Sequence, residues 1–214
     1  PGADLSNADL SGANLEDVDL SGTHLEDANL DDVISSGITG EPSSLPEGWI
    51  LLEGYLIGPG ADLTNVDLSG VNLKGVKVGG ITAKPMSLPK GWILSKGYLI
   101  GPGADLSDVD LSGANLDDVD LKGANLNRVK SGEITGEPSS LPGDWILSKG
   151  YLIGPDADLK GADLSNADLS GANLFYANLL GVKSGGITGK PKSLPKDCIL
   201  LKGYLISPEA DLSN

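Results

Sequence analysis

Carboxylates are the commonest reactive groups in this chain, with 30 Asp and Glu against 15 Lys and Arg, one His and one Cys in 214 residues. They recur at fixed intervals, as at Asp4, Asp9 and Asp19, and they also form pairs such as Asp31-Asp32 and Asp117-Asp118. Rows of carboxylates stacked at a β spacing of about 4.8 Å would repel one another and recruit Ca²⁺, which takes several oxygen ligands. No calcium-loop spacing occurs, so a solvated acidic face is the plainer reading and Ca²⁺ the sole cofactor candidate. His24 has no Ser or Cys at a recognisable spacing, and it occupies an Asp/Asn place in its repeat, which puts it on the solvated side. Cys198 stands where comparable segments have Trp and reads as a packing residue; alone, it excludes an internal disulfide. The glycines follow the repeat phase and form no phosphate loop. No catalytic residue is assigned, and the chain is not expected to be an enzyme.

What positions these carboxylates is a period of five. From Ala3 the sequence runs ADLSN, ADLSG, ANLED, VDLSG, THLED, ANLDD, VISSG, ITGEP, with a small or β-branched residue first and Leu third. Three further blocks begin at Ala61, Ala104 and Ala157, and a stub at Ala210. A five-residue period suits neither a helix, around which successive Ala would wander, nor an unbroken strand, which needs alternation. A three-residue extended piece followed by a two-residue corner satisfies it. Four such sides close a coil of about 20 residues, placing Ala3 beneath Thr23, Leu5 beneath Leu25 and Asp9 beneath Asn29. The narrow interior holds Ala and Leu and has no room for aromatics.

Tandem A-[DN]-L-x-x of this kind resembles the pentapeptide-repeat family, over about two-thirds of the chain. The resemblance implies an all-β fold, a right-handed quadrilateral parallel β-helix, here carrying four hairpin-like inserts. The expected organisation is one continuous solenoid over residues 1–214. Its pentad blocks are 3–42, 61–85, 104–138, 157–191 and 210–214, and its inserts 43–60, 86–103, 139–156 and 192–209.

The inserts are regular. Each runs 23 residues from a closing Ile to an opening Ala: Ile38 to Ala61, Ile81 to Ala104, Ile134 to Ala157 and Ile187 to Ala210. Each carries two short apolar runs around E-G or K-G, as in GWILLEGYLIGPG from Gly48, which reads as a hairpin turning at Gly. If each insert occupies an even number of sides, all hairpins lie on one face or its opposite. Trp49, Trp92 and Trp145, with Tyr55, Tyr98, Tyr151 and Tyr204, belong to these inserts, either clamping their own coil or docking a partner. Phe175 and Tyr176 stand in the polar corner of a pentad and are the most unusual surface candidates.

Charge is polarised. Residues 1–73 hold 14 acids and no Lys or Arg, whereas Lys183, Lys190, Lys192, Lys196 and Lys202 gather late in the chain. The net charge of −15 argues against direct nucleic-acid binding and anionic membranes, and no apolar stretch approaches the roughly 20 residues of a bilayer helix. Such polarity favours head-to-tail contact, with Asp17, Asp27, Asp31 and Asp32 as acidic-end candidates. PGADLSN and PEADLSN stand at the two termini in matching phase, without a capping element, as in a slice of a longer tandem array or a protomer stacking on its next copy. The leading expectation is therefore a non-enzymatic, self-assembling rod: a bacterial extracellular or cell-surface fibre, sheath or stalk. The resemblance also implies an alternative, a cytoplasmic acidic DNA mimic that binds a topoisomerase. That match is partial, because this chain has Leu at the central site and carries hairpin inserts. A cation-binding surface protein is the third reading.

Overall fold

The computed structural model describes residues 1–207. They fall into two compact units, Pro1–Ile100 and the described part of Gly101–Asn214. The final stub from Ala210 and the closing PEADLSN motif lie outside the described residues.

Both units are right-handed quadrilateral β-helices whose sides pair in parallel one coil apart. In the first, Asp4 pairs with His24, Asp9 with Asn29, Asn14 with Ile34, and Asp19 with Thr39. The ladder is reciprocal: Leu5 N–H donates to the His24 carbonyl (2.8 Å), and His24 N–H to that of Ala3 (2.9 Å). First- and third-site side chains fill the interior, so Leu25, Leu30 and Leu68 in the first unit and Leu111, Leu116 and Ala172 in the second are fully buried. Each Leu removed from water contributes roughly 1.5–3 kcal/mol, and repetition multiplies that gain at every coil.

The corners explain the rest of the pentad. The second-site Asp or Asn accepts the backbone N–H two residues on, as Asp4 does from Ser6 (3.1 Å) and Asn115 from Asp117 (3.0 Å). The fifth residue then takes a positive φ, +61° at Asn7 and +57° at Asp17, which L-residues other than Asn and Asp adopt only with strain. Gly, Asn and Asp dominate that place for this reason.

Four antiparallel hairpins interrupt the coils: β1 (Ile50–Leu52) with β2 (Tyr55–Ile57), β3 (Ile93–Ser95) with β4 (Tyr98–Ile100), β5 (Ile146–Ser148) with β6 (Tyr151–Ile153), and β7 (Ile199–Leu201) with β8 (Tyr204–Ile206). Both turn residues have positive φ, +48° at Glu53 and +86° at Gly54, the conformation that matches the twist of a two-residue hairpin.

The inserts begin later than the repeat pattern suggests. Ser44 pairs with His24, Ser87 with Asp67, Ser140 with Asp120 and Ser193 with Asn173, so each SLP segment is still a coil side despite lacking A-[DN]-L. With that extra side the advance from one hairpin to the next is an odd number of sides, which overturns the expected arrangement on one face or its opposite. In the second unit Lys130 pairs with Asp158, so Ala157 resumes above Val129, three sides on from Ile134. The third hairpin thus follows the side of Asp120 and Ser140, and the fourth the next side round, that of Asn173 and Ser193. In the first unit Asp32 N–H donates to the Gly60 carbonyl, placing Ala61 above Val33 by the same three steps. Hairpins within a unit therefore stand at right angles.

Candidate functional site

Three of the four hairpins are fastened to their coils by a serine at a place where the pentad pattern weakens. The third-site Leu is replaced by Ser35, Ser131 and Ser184, all buried. Their hydroxyls receive the amides of Leu56 (3.0 Å), Leu152 (2.9 Å) and Leu205 (3.0 Å). Val78 occupies this place before the second hairpin and offers no such acceptor. The turn glycines complete the attachment, because the amides of Ile38, Ile81, Ile134 and Ile187 each donate to the carbonyl of Gly54, Gly97, Gly150 or Gly203 at 3.1 Å.

The insert aromatics face inward. Trp49 and Trp145 are buried, and a Cβ on Gly58 or Gly154 would penetrate their indole rings. Trp92 is half-buried. Tyr98, Tyr151 and Tyr204 lie half-buried over Gly79, Gly132 and Gly185, and the Tyr151 hydroxyl accepts the Asp163 amide of the following coil (3.2 Å). Tyr55 is also half-buried. Buried indoles offer little surface to a partner, so the clamp is the role the geometry gives Trp49 and Trp145.

The acidic candidates are dispersed. Asp17, Asp27 and Asp32 are fifth-site residues at three different corners with φ of +57°, +57° and +54°, and Asp31 precedes Asp32 at one of them. Nor do second-site carboxylates stack on one another. Asp9 lies under Asn29, Asp105 under Asn125 and Asp158 under Asn178, with amide-to-carboxylate distances of 3.2, 3.0 and 2.8 Å. Serine lies over Asp67 and Asp120 and hydrogen-bonds each of them. The repulsive rows that would draw in Ca²⁺ are absent from these ladders, and no cluster of three metal-ligating side chains occurs among the described residues. His24 is exposed above Asp4, and its charge helps hold that carboxyl below its usual range, after the hydrogen bonds from Ser6. Cys198 is buried, and desolvation pushes its thiol pKa up, away from nucleophilic character.

One surface of the second unit stands apart. Along one corner the fifth-site residues of successive coils are Asp108, Arg128, Asp156 and Tyr176, all with φ between +55° and +63°. Beside them runs the second-site ladder Asp110, Lys130, Asp158 and Asn178. Arg128 grips Asp108 through two parallel bonds of 2.6 and 2.7 Å, and Lys130 reaches Asp110 at 2.9 Å. These eight residues line an open hollow of about 510 Å³. At its rim Phe175 and Tyr176 are 51% and 70% exposed, with ring centroids 4.1 Å apart. Phe175 and Tyr176 were legible as oddities in the sequence; the columns beneath them were not, because they join residues 20 and 28 apart.

The pentapeptide repeats family profile matches residues 2–34, 59–80, 102–130 and 156–183 in eight copies, together just over half of the chain. The chain belongs to the pentapeptide repeat family. Among solved structures this pentapeptide repeat protein is similar to HetL, a pentapeptide repeat protein involved in heterocyst differentiation regulation from the cyanobacterium Nostoc sp. strain PCC 7120. The two share 24% identity over 96% of this chain and 90% of HetL, with a TM-score of 0.25. No curated protein matches the chain. Pentapeptide repeat proteins are generally structural or protein-interaction proteins.

Proposed function

We propose that this protein is a non-enzymatic scaffold that works by coil-on-coil association between copies. The observation carrying this reading is the distribution of charge along the coils. Residues 1–73 hold 14 acids and no Lys or Arg, whereas Lys183, Lys190, Lys192, Lys196 and Lys202 gather late in the chain. The acidic coils of one copy therefore complement the lysine-bearing coils of another. In its fuller form the reading is a fibre, sheath or stalk at the cell surface.

Electron microscopy and light scattering of the purified chain test it. Filaments or oligomers with a repeat of one chain are expected, shortened at low salt by Asp17→Lys, Asp27→Lys, Asp31→Lys and Asp32→Lys, which remove the charge complementarity. A monomer at every concentration and salt would sink the proposal. A discrete dimer that inhibits topoisomerase supercoiling would replace it with the acidic-mimic reading.

A further inference from the structure

We propose that Phe175, Tyr176 and the carboxylates of Asp156 and Asp158 form a docking surface for a lysine- or arginine-bearing segment of a partner protein. Three independent features converge there. The first is exposure: two rings in contact, tilted 47° to each other, stand in solvent at places four and five of a pentad, where its neighbours carry Ser165-Asn166 and Ser170-Gly171. The second is backbone conformation, because Tyr176 holds φ at +59°, a region that disfavours an aromatic residue and suits Asn or Gly. Folding is served better by either of those, so the ring is retained against local preference.

The third feature is charge. Arg128 and Lys130 make their direct ion pairs with Asp108 and Asp110, while Asp156 and Asp158, one coil higher, feel those cations only at longer range among the described residues. Phe175 is tied to this row directly, its carbonyl accepting the Asp156 amide at 2.9 Å. The side between them is bounded at its far corner by Leu180, 39% exposed. An acidic strip with apolar groups at both corners matches an extended segment whose ammonium or guanidinium group lies over a ring while its stem covers Leu180. A purely apolar partner would leave the carboxylates desolvated and unpaired.

The probe is a capped lysine decapeptide added to the ¹⁵N-labelled protein at near-physiological salt, which screens general attraction to an acidic chain. Amide shifts are expected at Asp156, Asp158, Phe175 and Tyr176. The double variant Phe175→Ser/Tyr176→Asn, which restores ordinary pentad residues and so keeps the fold, should bind about tenfold more weakly. Asp156→Asn/Asp158→Asn should weaken binding similarly. Shifts confined to residues 1–73, or unchanged affinity in the aromatic variant, would overturn the proposal. A dimer that the aromatic variant converts to monomer would overturn it in favour of a second copy as occupant. Association through residues 1–73 and the late lysines uses none of these residues, so the two proposals fail separately.

Discussion

Trp145 lies against Gly154 so closely that a Cβ on the glycine would penetrate the indole ring, and Trp49 meets Gly58 in the same way. The fourth insert has neither partner: Cys198 replaces the Trp and Ser207 the Gly. Neither Gly58 nor Gly154 has a positive φ, so packing, rather than backbone freedom, requires the glycine. Gly154→Ser should destabilise the protein by about 1–3 kcal/mol through overpacking. Trp145→Cys alone should cost about 3–5 kcal/mol. The double variant should cost clearly less than their sum, with a coupling of about 1 kcal/mol or more in denaturant titrations. Strict additivity would mean that the two replacements in the fourth insert are unrelated.

The buried hydroxyl of Ser131 supplies a second test. Ser131→Ala leaves the Leu152 amide without its acceptor, at a cost of about 1–3 kcal/mol. The protein contains its own control, since Val78 offers the Leu99 amide no hydroxyl. In native-state hydrogen exchange Leu99 should therefore exchange faster than Leu56, Leu152 and Leu205, and Ser131→Ala should bring Leu152 to the Leu99 rate. Equal protection at all four would show that the serines do not fasten the hairpins.

The coil was legible because its interior admits so few residue types: Ala or Val first and Leu third, at every fifth place, leaves one geometry. The hairpins were legible through Gly54 and its counterparts. What escaped depended on backbone bonding that side-chain chemistry does not announce. Ser44 and Ser140 do not look like second-site residues, yet they pair as such, and missing that side gave the wrong angle between hairpins. Ser131 read as a lapse in the repeat because its reason lies at Leu152, 21 residues on. Asp9 and its equivalents suggested cation binding, although the carboxylate serves the turn at Ser11.

Those corner carboxylates predict acid sensitivity. Hydrogen bonds from Ser87 and then Ser69 hold Asp67 down to about 2, and those from Ser11 and Ser21 lower Asp9 and Asp19. A carboxyl whose folded pKa is depressed adds stability above its unfolded value, roughly 3.9, and loses it as pH falls through the folded value. Denaturant midpoints should therefore be level from pH 7 to about 5 and fall between about 4 and 2. Asp67→Asn should flatten that fall, because the Asn oxygen can accept the same backbone amide without titrating. An unchanged slope in this variant would assign the acid loss to other groups.

Arg128 sets two effects against each other. Its bidentate pair with Asp108 looks stabilising, but both side chains are largely exposed, at 65% and 49%, and such pairs contribute about 0–1 kcal/mol. Its φ of +55° costs an Arg about 1–2 kcal/mol, less for Asn. Arg128→Asn should therefore be neutral or slightly stabilising in urea titrations, and most favourable at high salt, where the lost ion pair matters least. Arg128→Ala, which loses the pair and keeps the strain, should be the weaker of the two variants at every salt concentration. If Arg128→Asn proves as destabilising as Arg128→Ala, the ion pair outweighs the backbone, and the corner column is held by charge rather than by turn geometry.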